Sequence, residues 1–307
     1  LIAAGGRVAL AVLLSTRTDR LSLYPLAFGL LVLSRVHGVS RSALVPDALP
    51  PDKQPMWANT WLALLSVAGG ALGAGVAAGV NAAWGPDLAL WGAATVFGCG
   101  LVPAARLPRG GTSDTKRSRS TDYRSLLSSR LVAGGVAMAA SRAAVGFLTF
   151  LMAFLLRGQG EQGRGFAIVI AAAGFGGFAG SLLAPVLRRV VRESVLLLGS
   201  LAVIMGTALW AAGSFDLRTA AVVAGVVGAA AGAGRLAFDS LLQGDAPAPV
   251  RGRTFARYET IFQLCWVAGA GLATAVEFDS SWGMRTLAVI AGSGFLLAVR
   301  GLVRGRR

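Results

Sequence analysis

The groups in this sequence that could do chemistry are ionisable side chains set inside long apolar runs. Arg35 and His37 share one run, Arg142 stands in the middle of another, and Arg235 and Asp239 lie four residues apart in a third. Such a group costs several kcal/mol in a hydrocarbon layer unless it faces a polar interior or reaches an interface. With a helical rise of about 1.5 Å per residue, Arg35 falls near mid-depth and is expected to face a cavity or a partner. His37 titrates near neutral pH, but two positions along a helix are roughly 200° apart, so Arg35 and His37 cannot face the same cavity. Arg235 and Asp239, at i and i+4, are expected to pair on one helix face, as a structural ion pair or as a gate. Glu259, beside Arg257, reads as the charge that opens the next helix. That leaves no carboxylate at mid-membrane, so any coupling to protons falls to Asp239 or to a group outside this sequence. Arg35 and Arg142 could offer positive charge to an anionic or zwitterionic solute.

The elements that must carry these groups follow from composition. The 307 residues are 55% hydrophobic and 14% charged, against about 25% charged in soluble domains. Runs without charge extend from Gln54 to Pro86, Gly165 to Leu187 and Ser194 to Phe215, and roughly 20 apolar residues suffice to cross a bilayer. The fold class expected is all-α: a polytopic helical membrane protein of ten spans, 1–16, 21–45, 54–82, 87–105, 126–156, 164–187, 194–213, 217–242, 254–277 and 284–303. Strand-like alternation of a membrane barrel, about ten residues per strand, is not found.

One connection differs from the short turns. RLPRGGTSDTKRSRSTDYR, from Arg106 to Arg124, is basic and poor in apolar residues, the composition of a disordered linker. It divides the chain into a bundle at 1–105, a cytoplasmic linker at 106–125 and a six-helix bundle at 126–307. Of the 29 Lys and Arg, eighteen fall on the side of the linker and C-terminus, six on the other and five within or at the ends of spans. This split places linker and C-terminus in the cytoplasm. The net charge of +15 is thereby read as topology, and no nucleic-acid partner is expected. One histidine, two cysteines inside spans (Cys99 and Cys265) and no His/Cys/Asp/Glu cluster leave no parts for a metal site, a disulfide framework or nucleophilic catalysis. No cofactor is expected, and the chain is not read as an enzyme.

Residues 41–80 have an echo at 239–278. At a constant offset of 198 the two share Ser42/Ser240, Leu44/Leu242, Asp47/Asp245, Ala48/Ala246, Pro51/Pro249, Ala58/Ala256, Gly73/Gly271 and Ala77/Ala275. Parallel repeats of this length mark a transporter built from two similar halves. In this register the first span pairs with the seventh, so the first bundle is expected to hold four helices of six, as a fragment lacking its first two.

Together, two bundles, a basic linker and a parallel repeat resemble the major facilitator superfamily. GLLVLSRVHGVSRSALVPDALPP, Gly29 to Pro51, is similar to the fourth-helix end of the exporter-like branch that holds siderophore and macrolide efflux permeases. Gly180 to Arg189, GSLLAPVLRR, resembles the weakened second copy of the family's loop signature. It keeps Gly180 and the pair Arg188 and Arg189, with Ala184 in the place of the acidic residue. Gly69, Gly70, Gly73, Gly75 and Gly79 resemble the glycine-rich fifth helix of the superfamily's antiporters, where missing side chains let helices approach or slide. The resemblance implies a secondary active transporter in a bacterial plasma membrane. It would be an efflux permease for a small solute, with protons as a possible coupling ion and a cavity lined by 21–45, 126–156 and 217–242. The chain alone is not expected to transport. The alternative is a non-transporting membrane scaffold or receptor descended from such a carrier.

Overall fold

A computed structural model describes residues 2–16, 20–48, 55–102, 128–158 and 163–304. Among them ten α-helices are found. They are α1 (Ile2–Thr16), α2 (Arg20–Ala48), α3 (Pro55–Trp84), α4 (Pro86–Cys99), α5 (Ser129–Gly158), α6 (Arg164–Arg188), α7 (Glu193–Ala211), α8 (Leu217–Asp245), α9 (Ala248–Ala275) and α10 (Ser280–Arg304). The fold is all-helical, as expected, and the segment 106–125 lies outside the described residues.

Local chemistry sets the helix ends. Gly85 adopts φ +88° between α3 and α4, a conformation open to glycine, and Pro86 then starts α4 where a missing N–H costs nothing. Ser128 caps α5, its hydroxyl accepting from the Leu131 N–H at 3.0 Å. Asp216 caps α8, accepting from the Thr219 N–H at 2.7 Å. Pro247 and Pro249 start α9, six residues before the expected position.

Among the described residues six helices are both long and apolar enough to cross a membrane: α3 over Trp57–Trp84, and α5, α6, α7, α8 and α10. α1 and the Pro25–Gly38 part of α2 are apolar but shorter. α9 fails on composition, since Arg251, Arg253, Arg257 and Glu259 fall in its first half. Its packing nevertheless runs the length of α5. Gly135 abuts the Tyr258 ring and Gly146 the Trp266 carbonyl, and the Phe150 ring lies 6.1 Å from that of Trp266.

The chain divides into two compact units, Leu1–Ala48 with Leu65–Arg119, and Leu49–Leu64 with Ser120–Arg307. In the first, α1 packs on α2 and α4, and the Arg7 guanidinium sits 4.1 Å over the Phe97 ring. In the second, α5 packs mainly on α9 and α10, α8 mainly on α6 and α7, α5 meets α8, and α7 meets α10. Exchanging α5, α6 and α7 with α8, α9 and α10 returns the same set of main neighbours, the pattern of a three-plus-three repeat. The core holds Phe147, Phe238, Phe262, Met138, Met152 and Ile204, all fully buried. Large apolar side chains such as Trp210, Val289 and Leu296 point outward, as lipid contact requires.

Candidate functional site

Three helices of the second unit bring charges to one level. Arg142 lies thirteen residues from the start of α5, Arg235 ten from the end of α8 and Glu259 eleven from the start of α9. These helix ends lie together, since Ser128 before α5 donates to Asp245 Oδ2 of α8 at 2.6 Å and the Tyr258 hydroxyl of α9 reaches the Leu131 carbonyl of α5 at 3.5 Å. The charges therefore stand about 15–20 Å along their helices, within the depth of a bilayer core of about 30 Å.

Arg235 holds two carboxylates. Its Nε donates to Asp239 Oδ2 at 3.1 Å, and a terminal nitrogen donates to Glu259 Oε2 at 2.8 Å. Gln263 Nε2 donates to Glu259 Oε1 at 2.9 Å, so both oxygens of Glu259 are engaged. Asp239 differs: its Oδ1 is buried and meets no hydrogen-bond donor among the described residues. The Arg142 charge acts on both carboxylates. Asp239 and Glu259 keep only 10% and 12% of their side chains exposed, Arg235 26%. Asp239, buried, and Arg235 and Glu259, half-buried, satisfy together the requirement that charges leave water only in company.

The i, i+4 pair of Arg235 and Asp239 is thus as read from the sequence. Glu259 is not: it does not open its helix, because α9 begins at Ala248 and carries Glu259 eleven residues in. The hydropathy of 251–259 is depressed by Arg251, Arg253, Arg257 and Glu259, so the apolar run started late; Glu259 is held by Arg235, whereas Arg253 and Arg257 stay exposed. Arg35 and His37 lie in the first unit, on α2, Arg35 exposed and His37 half-buried.

The glycines divide. A Cβ at Gly69, Gly70, Gly73, Gly75 or Gly79 of α3 meets nothing within 4 Å among the described residues. A Cβ at Gly180 of α6 runs into the Ala229 carbonyl of α8. Gly176 stands likewise against Gly225 and Gly228 against Ala173, and a Cβ at Gly232 would come 2.6 Å from the Gly177 carbonyl. Backbones meet there without side chains between them. At the end of α6, Arg188 Nε binds Glu193 Oε1 at 2.6 Å, with Arg130 4.0 Å from the other oxygen. Arg189 is exposed. Glu193 opens α7, where a negative charge meets the helix dipole. An acidic residue just after a basic pair and before an apolar run was its sequence signal.

A second polar contact had no such signal. Asn59 of α3 and Gln243 of α8 exchange amide hydrogen bonds, Asn59 Nδ2 donating at 2.9 Å and Gln243 Nε2 returning one at 3.3 Å. Both are buried, at 6% and 3% exposure. A cavity of about 590 Å³ lies at the other end of α5 and α9, lined by Leu151, Phe154, Thr274, Glu277 and Asp279 among others. No group of three or more His, Cys, Asp or Glu that could hold a metal ion occurs among the described residues.

Comparison with known proteins decides the family. The profile described as Major Facilitator Superfamily matches residues 1–270. The chain belongs to the major facilitator superfamily. Its members are membrane transporters, which accords with ten helices, six of them long and apolar. The chain is also similar to an uncharacterized protein of Mycobacterium leprae (strain TN), 26% identical over 289 residues that cover 84% of this chain and 50% of the relative. It spans about half the length of that protein.

Proposed function

We propose that this superfamily chain belongs to a secondary active carrier that exports a small solute across a bacterial plasma membrane by alternating access. The linker and C-terminus would lie on the cytoplasmic side. Arg142 and Arg235 of the second bundle, and Arg35 of the first, supply positive charge to the solute path, with Asp239 as a candidate for coupling to protons. His37 is a further candidate on the Arg35 helix. The observation that supports this reading is the partly buried assembly of Arg235, Asp239 and Glu259 on two helices, with the Arg142 charge of a third acting on both carboxylates. Charges at such depth are costly to keep and mark solute or ion pathways.

The test is accumulation of labelled solutes in cells expressing the natural gene, compared with cells carrying Arg142→Ala. A panel of benzoate, fluorescein, ethidium and a neutral macrolide covers anions, cations and uncharged solutes. At least one solute is expected to accumulate less with the natural protein and to recover with Arg142→Ala. Equal accumulation of every solute in both strains, with the protein present in the membrane, overturns the reading.

A further inference from the structure

The cavity at the far ends of α5 and α9 stands apart from the charges of the proposed solute path. Its wall on α5 starts at Leu151, nine residues beyond Arg142, which is about 13 Å further along the helix. On α9 it starts at Ala273, fourteen residues beyond Glu259. The turn from Val276 to Asp279, which joins α9 to α10, completes it. The cavity therefore lies where these helices end and a hydrocarbon layer gives way to water. Its volume of about 590 Å³ is that of a pocket for a small organic molecule.

Two kinds of surface meet there. One is apolar: Leu151 is buried, Phe154 keeps 47% of its surface exposed, and the Phe278 ring is fixed edge-on to that of Phe147 at 5.2 Å. The other is acidic. Glu277 is exposed and makes no ion pair or hydrogen bond among the described residues. Asp279 spends Oδ1 on the Trp282 N–H at 3.0 Å, where it caps α10, and its second oxygen meets no donor among the described residues.

Among the described residues no cation lines the cavity to balance this pair. Arg157, in the last turn of α5, is outside the wall, and the Arg285 guanidinium lies over the Trp282 ring, 5.4 Å from its centre. Donors are scarce as well. The Thr274 hydroxyl donates within its own helix, to the Gly271 carbonyl at 2.9 Å, and Ser280 adds one neutral hydroxyl. An anion would meet two like charges with little to bind it. A cation on an apolar body satisfies both surfaces, its charge near the carboxylates and its body on Leu151 and Phe154. Aromatic faces attract the same charge. We propose that this cavity is a binding site for a lipophilic organic cation, an ammonium or phosphonium carried on aromatic or alkyl groups. Two sources supply such a group, a free amphiphile and the ethanolamine headgroup of a lipid. The proposal does not depend on the transport reading.

The test is equilibrium dialysis of the purified protein in neutral detergent, against detergent alone. The probes are tetraphenylphosphonium and tetraphenylborate, which share a shape and carry opposite charges. Saturable binding of the phosphonium is expected, and none of the borate. Glu277→Gln and Asp279→Asn, the second still able to cap α10, are each expected to weaken the phosphonium by about fivefold to tenfold. Glu277→Lys is expected to abolish its binding, as is Leu155→Trp, which fills the cavity. Displacement of the phosphonium by dihexanoyl phosphatidylethanolamine, and not by dihexanoyl phosphatidylglycerol, assigns the site to the lipid headgroup. Displacement by neither assigns it to a free cation. The proposal is overturned by equal binding of the borate, by displacement with the glycerol lipid, or by unchanged affinity in the double variant Glu277→Gln with Asp279→Asn. No saturable phosphonium binding by folded protein overturns it too. The transport reading stands or falls separately, on the solute panel in cells.

Discussion

The α6/α8 seam and the α5/α9 seam are counterparts in the second bundle, yet they are built from different chemistry. Along α6/α8, Gly176, Gly180, Gly228 and Gly232 bring backbone against backbone with no polar side chain between them. Along α5/α9, backbone meets backbone at Gly146 and Gly269, and the rest is rings and polar groups: Gly135 against the Tyr258 ring, Phe150 6.1 Å from Trp266, and the Tyr258 hydroxyl on the Leu131 carbonyl, with Glu259 of α9 held by Arg235 of α8. One seam is shape without chemistry, the other chemistry that shape must tolerate. The lesson is that the repeat conserves which helices meet, and leaves free what they meet with.

The comparison breaks most sharply at Arg235. Arg235→Ala leaves Asp239 and Glu259 buried without their shared cation and is expected to cost about 3–5 kcal/mol, read as a lower midpoint in thermal unfolding in detergent. Removing both carboxylates as well (Arg235→Ala with Asp239→Asn and Glu259→Gln) is expected to recover much of it. No recovery would mean that the ions act only as packing. On the other seam, Gly180→Val drives a branched side chain into the Ala229 carbonyl. A loss of about 1–3 kcal/mol or more follows, and a neutral result would show that α6 and α8 stand further apart.

Gly73→Ala on α3 sharpens the contrast from the opposite side. It shares the glycine spacing but a Cβ there meets nothing within 4 Å among the described residues, so helix propensity alone acts and stability is expected to rise by about 0.5–1 kcal/mol. A loss instead would reveal a neighbour pressed on that face. The smallest effect is expected at the turn before α8. The Thr219 N–H holds the Asp216 carboxyl below its ordinary range. A carboxyl lowered in the folded state stabilises above its unfolded pKa, and the contribution fades as pH falls through the depressed value. Asp216→Asn should cap the helix still and remove that acid-side dependence, checked by unfolding midpoints across the acidic range.

Much of this was legible in the residues. Spans such as α5, α7 and α8 were placed within a few positions, because an unbroken apolar run must be helix in lipid. Arg235 and Asp239 were paired from spacing alone, since i and i+4 share a face in any helix. Glu259 was misplaced because the signal that finds spans is the absence of charge, and the first half of α9 carries four charged residues. Arg142 joins the cluster only through tertiary packing, which one sequence does not encode by spacing. Asn59 and Gln243, 184 residues apart, are neutral amides that look like any others until they meet. Gly180 and the α3 glycines looked equivalent, because a glycine announces room for a neighbour and not the neighbour itself.

The polar first half of α9 has a consequence for how the protein is made. A segment carrying Arg251, Arg253, Arg257 and Glu259 partitions poorly into lipid when it emerges alone. Its insertion must therefore wait on company: α5 and α8 have to be in the bilayer already, offering Arg142 and Arg235 as hosts, before the newcomer can leave the translocation machinery. Assembly of this bundle is in that sense ordered by electrostatic debt, with the least greasy helix admitted late.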